Sequence, residues 1–182
     1  MKLLLTLLLF SSFFCVTAQS ITNDSLRQQM VKDWERAKAY TLEYLNAMPS
    51  DKYGFRPVDS MRSFAGQMLH LAHANAVLGF IATGAPYPFK THTFENSPTS
   101  QSKDSVVYYV VTSYDFVISS IRSMDVSKFG EVVSWELPGG IRTTTRFDWL
   151  MKAFEHQTHH RGQCTVYIRL VGIRPPAERL FQ

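Results

Sequence analysis

Cysteine is nearly absent from this chain, with Cys15 and Cys164 the only two in 182 residues. Cys15 falls in an amino-terminal stretch expected to be removed, which leaves Cys164 without a partner and excludes an intramolecular disulfide. Cys164 then reads as a small buried apolar residue on a helix. Lys/Arg runs are also missing. The excess of 19 basic over 15 acidic residues, a formal charge of +4, is spread along the chain and falls by one on loss of Lys2. A nucleic-acid binder shows a basic stripe, and none is present. There is no internal repeat and no low-complexity tract. No apolar run reaches the roughly 20 residues of a comfortable membrane span.

The longest apolar run, Leu3 to Phe14, is broken only by Thr6 and Ser11–Ser12 and follows Lys2. With the small-residue spacing of Val16-Thr17-Ala18 it has the form of a signal peptide. Phe14 before Cys15 is bulky where lipoprotein processing needs a small residue, so cleavage after Ala18 is expected. The expectation is an exported protein, periplasmic or extracellular, with residues 1–18 as signal peptide and 19–182 as one domain able to bury a sizeable core.

What the chain has in abundance is helical periodicity. The first segment starts at Asn23-Asp24-Ser25 and runs to about Ala47, with Leu26, Met30, Trp34, Ala37, Thr41, Tyr44 and Met48 at three- and four-residue steps. A second helix is expected from about Asp59 to Ile81, capped near Val58-Asp59-Ser60 and ended by Gly84 and Pro86. The stretch from Thr83 to Lys103, rich in Pro, Ser and Thr, reads as a loop long enough to suggest a functional role. Asp104 to Met124 has strand-forming residues (Val106 to Val111) but is too long for a strand and free of Gly and Pro, so a helix is expected. Phe129 to Thr145 allows a small hairpin or an irregular loop. The last helix runs from Thr144 or Thr145 to about Val171, with Gly172 at the position after its end and Pro175-Pro176 forbidding continuation. Gly162 inside it suggests close approach of another element or a ligand. The fold class is all-α, a four-helix bundle.

Of the six histidines, five lie on two of these helices. His156 and His160, four apart, project from one helix face with Cβ atoms about 6 Å apart. That spacing lets two imidazoles grip one metal ion, and His70, in the apolar stretch Met68-Leu69-His70-Leu71-Ala72, is the candidate third ligand. A single histidine on an apolar helix face is more often a hydrogen-bonded core residue; the i,i+4 pair is what favours the metal reading. His73 and His159 read as residues beside the site or on the surface, and His92 is uninformative. Gln67 and Gln163 could orient a bound group.

The run His156-Gln157-Thr158-His159-His160-Arg161-Gly162-Gln163 resembles the H-x-x-H-H-R-G-Q signature of the DinB/YfiT-like superfamily. Tyr167 to Pro175 continues in that family's Y-x-R-L-x-G-x-x-P pattern, and Ser63 to Asn75 is similar to its second-helix block. The resemblance implies a four-helix bundle, frequently a homodimer, that binds nickel or zinc through three histidines, carried over as His70, His156 and His160. The family's name refers to induction by DNA damage and implies no DNA binding. Some relatives are metal-dependent thiol S-transferases or hydrolases that act on small molecules, so a small-molecule substrate is expected. Export separates this chain from the cytosolic thiols that such transferases use.

Three imidazoles leave coordination positions open, as in catalytic rather than closed sites. Glu155 or loop tyrosines are candidates for acid–base help. Arg161 reads either as a partner for an acidic substrate group or as a structural residue, a helix-surface arginine or a member of a salt bridge. A non-catalytic metal- or ligand-binding protein of the envelope is the alternative from a different functional class.

Overall fold

The computed structural model describes residues 21–181, so the expected signal peptide lies outside the described residues. Among these, four α-helices occur: α1 (Asn23–Ala47), α2 (Phe64–Thr83), α3 (Lys103–Ser123) and α4 (Arg146–Leu170). A hairpin of β1 (Val132–Leu137) and β2 (Gly140–Thr145) precedes α4. The all-α bundle with a small hairpin is therefore the observed architecture, and the hairpin reading of 129–145 prevails over an irregular loop.

Each helix starts on a hydroxyl. Thr22 and Ser25 form a reciprocal capping box at α1, and Ser63, Ser102 and Thr145 cap α2, α3 and α4. The expected start of α2 at Asp59 is corrected by this chemistry. The Ser63 hydroxyl accepts from the Gly66 amide, and the amides of Phe64 and Ala65 donate to the carbonyls of Phe55 and Tyr53. The free donors of a first helical turn are thus satisfied from Ser63 onward, while residues 58–61 form turns instead. At the far end Gly84 takes φ +72° and stops the helix. In α4 the expected end is observed: Gly172 has φ +81°, and the amide of Ile173 reaches back to Ile168.

The α2–α4 and α2–α3 pairs form the tightest part of the bundle. At Gly79 on α2, an added Cβ would lie 2.9 Å from a Val117 methyl on α3, so only glycine admits this approach. The core is aromatic at its centre. Trp34 of α1 is fully buried, edge-on to Tyr114 at 5.7 Å and to Phe154 at 5.5 Å. Cys164 is fully buried in the same core, and burial raises its thiol pKa, as the apolar reading requires.

The hairpin is antiparallel, with Val132 opposite Thr145 and Leu137 opposite Gly140. It is bolted to the helices at two points. The Trp149 indole N–H donates to the Val133 carbonyl (3.2 Å), and Arg146 donates to the Ala82 carbonyl at the end of α2 (3.0 Å) while pairing with Glu131 (2.8 Å). The segment between α2 and α3 is the long loop expected. It contains two short 3₁₀ turns, Phe94–Asn96 and Pro98–Ser100, and is anchored by Phe94, which stacks on Tyr109 of α3 at 4.1 Å. No helix among the described residues is long and apolar enough to cross a membrane.

Candidate metal centre

The site is assembled from two helices. His70 sits near the middle of α2, and His156 and His160 lie one turn apart on α4, the helix that packs most closely against it. The three ring centroids are 4.4–5.1 Å apart, and one ring nitrogen from each residue lies within 4.8 Å of the others. This is the trio expected from the sequence, brought to one point by the bundle.

Two of the rings are oriented by neighbours. His70 Nδ1 is 2.8 Å from Glu95 Oε1, and His160 Nδ1 is 2.8 Å from Gln67 Oε1. An oxygen acceptor at each Nδ1 places the proton there and leaves Nε2 with its lone pair free for a ligand. Gln67 is itself fixed, donating to the Tyr167 hydroxyl (3.2 Å), which in turn donates to the Arg62 carbonyl (2.8 Å). The buried Nδ1 of His156 has no hydrogen-bond partner. A buried polar atom without a partner is costly, and its presence beside two oriented imidazoles fits a site that receives a cation.

The electrostatics favour neutral rings. Burial, followed by the charges of His70 and His159, pushes the His156 pKa down to about 4. Burial and then the charges of His156 and His70 push that of His160 down to about 3. Neutral imidazole is the form that binds metal. For Glu95, burial acts to raise the pKa, but hydrogen bonding to His70 and the charges of His70, His73 and Arg62 outweigh it and hold the carboxyl below its ordinary value. The Arg62 guanidinium lies 3.6 Å from Glu95 Oε1 and 3.5 Å from His70 Nδ1. Since Glu95 already occupies that Nδ1 at the shorter distance, the arginine serves the carboxylate rather than the ring.

The other residues singled out from the sequence divide cleanly. Gln67 touches a site histidine, as expected. His73 stands one turn along α2 with its ring edge-on to Phe94 at 5.7 Å, outside the trio, and burial lowers its pKa. His159 and Gln163 bond to each other at 2.8 Å on the outer side of α4, although the His159 ring also meets that of His160 at 4.9 Å. Glu155 is exposed and paired with Lys152 (3.1 Å). Arg161 is structural, but neither on the surface nor in a salt bridge. It is buried, donates to Gln157 Oε1 (2.7 Å) and lies over the Tyr40 ring at 4.7 Å. Gly162 is likewise not a point of close approach, since nothing lies within 4 Å of where its Cβ would be. Glu95, in contrast, escaped the sequence reading. It comes from a loop 25 residues beyond His70, and its only sequence signal was membership of an unusually long connection.

Two cavities flank the trio. One of about 550 Å³ is polar and includes Arg56, Arg62, Glu95 and Gln101; the other, of about 610 Å³, has His156 in its wall. Both are within the range of small-molecule sites.

No curated protein matches this chain. Among solved structures, a DinB-like protein from Bacillus cereus ATCC 10987 is similar at a TM-score of 0.69 and 18% identity, over 83% of this chain and 96% of that one. A DinB-like protein from Bacillus subtilis gives 0.62 and 19% (84% and 96% covered), and a conserved protein from Enterococcus faecalis 0.64 and 16% (80% and 96%). At such identities the likeness establishes the bundle architecture. The DinB family model matches residues 20–180, spanning all four helices and every residue of the histidine trio, and the chain therefore belongs to the DinB family.

Proposed function

We propose that this is an exported protein that holds one divalent metal ion, nickel or zinc, with His70, His156 and His160, and acts on a small-molecule substrate as a hydrolase or transferase. In this reading residues 1–18 are the signal peptide, residues 19–182 the metal-binding domain, and the working form a homodimer. The observation that carries the proposal is the meeting of three imidazole nitrogens within 4.8 Å, two of the rings held by oxygen acceptors on their far nitrogens.

A bound divalent ion would supply Lewis acidity, with positions left open by only three protein ligands. The remaining work falls to the chain. Glu95 fixes His70 and strengthens its basicity, Gln67 fixes His160, and burial keeps His156 and His160 neutral. Against burial, the hydrogen bond and charge of His70, then the charges of His73 and Arg62, hold the Glu95 carboxyl below its ordinary value and so able to accept the His70 proton. The alternative is a non-catalytic metal- or ligand-binding envelope protein; open coordination positions beside two cavities are what favour action on a substrate.

The test is metal content of the purified protein by elemental mass spectrometry. About one nickel or zinc per chain is expected, lost in His70→Ala and His160→Ala and largely retained in His159→Ala, whose ring bonds Gln163 instead. Equal loss in His159→Ala and His160→Ala would show the ligands wrongly assigned, and no metal in any of them after reconstitution would sink the reading.

A further inference from the structure

The 610 Å³ cavity runs between the hairpin and α4, floored by Leu78 of α2, with Leu137 and Thr143 on the hairpin side and Trp149 and His156 on the helix side. Most of the polar groups in its walls already have partners. The Trp149 N–H donates to Val133, Asp148 accepts from the Thr144 hydroxyl (2.9 Å), Lys152 pairs with Glu155, and His159 bonds Gln163. A ligand entering this groove therefore meets mainly aliphatic and indole surface, with charged side chains at its exposed margin. Two residues stand apart: Arg142, whose guanidinium makes a 3.4 Å bond to the Ile141 carbonyl, and His156, which forms part of the groove wall and belongs to the trio. The groove is thus a mainly apolar wall that ends at a histidine of the trio.

Resting on the function proposed above, we infer that this groove is the subsite for the apolar part of the substrate: an aryl or branched alkyl group attached next to the reactive atom, which it delivers to the histidine centre from the His156 side. Polar recognition by the groove itself is minor. Selectivity among substrates therefore follows the size and shape of the hydrocarbon portion.

The experiment uses two hydroxamates, acetohydroxamate and 4-phenylbutyrohydroxamate, titrated by calorimetry into zinc-loaded protein. In parallel, 4-phenylbutanol is titrated into metal-free protein with the Trp149 indole N–H followed by NMR. The phenylalkyl hydroxamate should bind about tenfold or more tightly than the acetyl one, the value of burying one such ring. That preference should collapse in Thr143→Trp, which fills the groove from an exposed hairpin position, and in Lys152→Trp, which fills it from α4. It should persist in Ile141→Ser, exposed on the same strand and outside the groove. The alcohol should shift the Trp149 signal in the unmodified protein and not in the filled variants. Equal affinities for the two hydroxamates, or a preference untouched by both filling substitutions, would overturn the inference. Failure to bind zinc would count against the metal reading alone, and the metal-free arm would still decide the groove: a Trp149 shift abolished by filling supports it, and no shift overturns it.

Discussion

Glu95 and Gln67 do the same job for two different histidines, but with different charge. A carboxylate accepting from His70 Nδ1 pulls the proton towards itself and makes Nε2 a better donor to a cation; a neutral amide accepting from His160 mainly fixes the ring. Removing either partner should weaken metal binding by about 10–100-fold without abolishing it, the usual effect of losing such a support. Glu95→Ala and Gln67→Ala, measured by competition with a chelator of known affinity, should both fall in that interval. Loss as complete as in His70→Ala would make Glu95 a ligand itself. This is also where the sequence was most and least informative. His156 and His160 could be paired by their four-residue spacing, because a helix converts spacing into geometry. Gln67, three residues before His70, is legible on the same principle. Glu95 has no such relation to His70, since it is delivered by chain that turns back over α2. Arg161 misled for the opposite reason. Its helical position was correct, but a buried guanidinium partnered by Gln157 and the Tyr40 face leaves no trace in residue order.

At the scale of elements, two glycines inside helices look alike in sequence and have opposite roles. Gly79 admits α3, whose Val117 methyl would sit 2.9 Å from an added Cβ; Gly162 faces open space on α4. The expected outcomes therefore have opposite signs. Gly162→Ala should stabilise the protein by about 1 kcal/mol through helix propensity, whereas Gly79→Ala should lose that gain to crowding against Val117 and come out destabilising, since overpacking typically costs about 1–3 kcal/mol. Chemical denaturation of the two variants checks this, and destabilisation by both would mean that Gly162 has a neighbour after all. The start of α2 teaches a related lesson. Asp59 and Ser60 have the composition of a cap, but the helix begins at Ser63 because the carbonyls of Tyr53 and Phe55 arrive there to take the first amides. Local composition offers several starts, and the returning chain selects one. The third helix, despite its valine-rich strand propensity, is helical because its apolar face has α1 and α2 to pack against.

For the whole molecule, the histidine centre links stability to pH. In the folded, metal-free protein His156 and His160 have pKa values depressed to about 4 and about 3, whereas in the unfolded chain they titrate near the ordinary 6.5. Between those limits the unfolded state binds more protons, so stability rises with pH. The contribution is fully present above about 6.5 and is lost as pH falls from there through about 4 to about 3. Thermal melts of metal-free protein should show this decline already between about 6.5 and 5, where ordinary carboxylates are still ionised. A His156→Ala/His160→Ala double variant should flatten it. A decline of the same slope in the double variant would locate the proton uptake elsewhere.

The bundle and the connection between α2 and α3 divide their labour. The helices carry the three histidines, fixed by close packing such as that of Gly79 against Val117. The connection carries Glu95, and it is held down chiefly by the stacking of Phe94 on Tyr109. The part that tunes the centre is thus separable from the part that builds it. A substitution at Glu95 should therefore alter how His70 presents its Nε2 while the Phe94 anchor, buried in the core, keeps the connection in place.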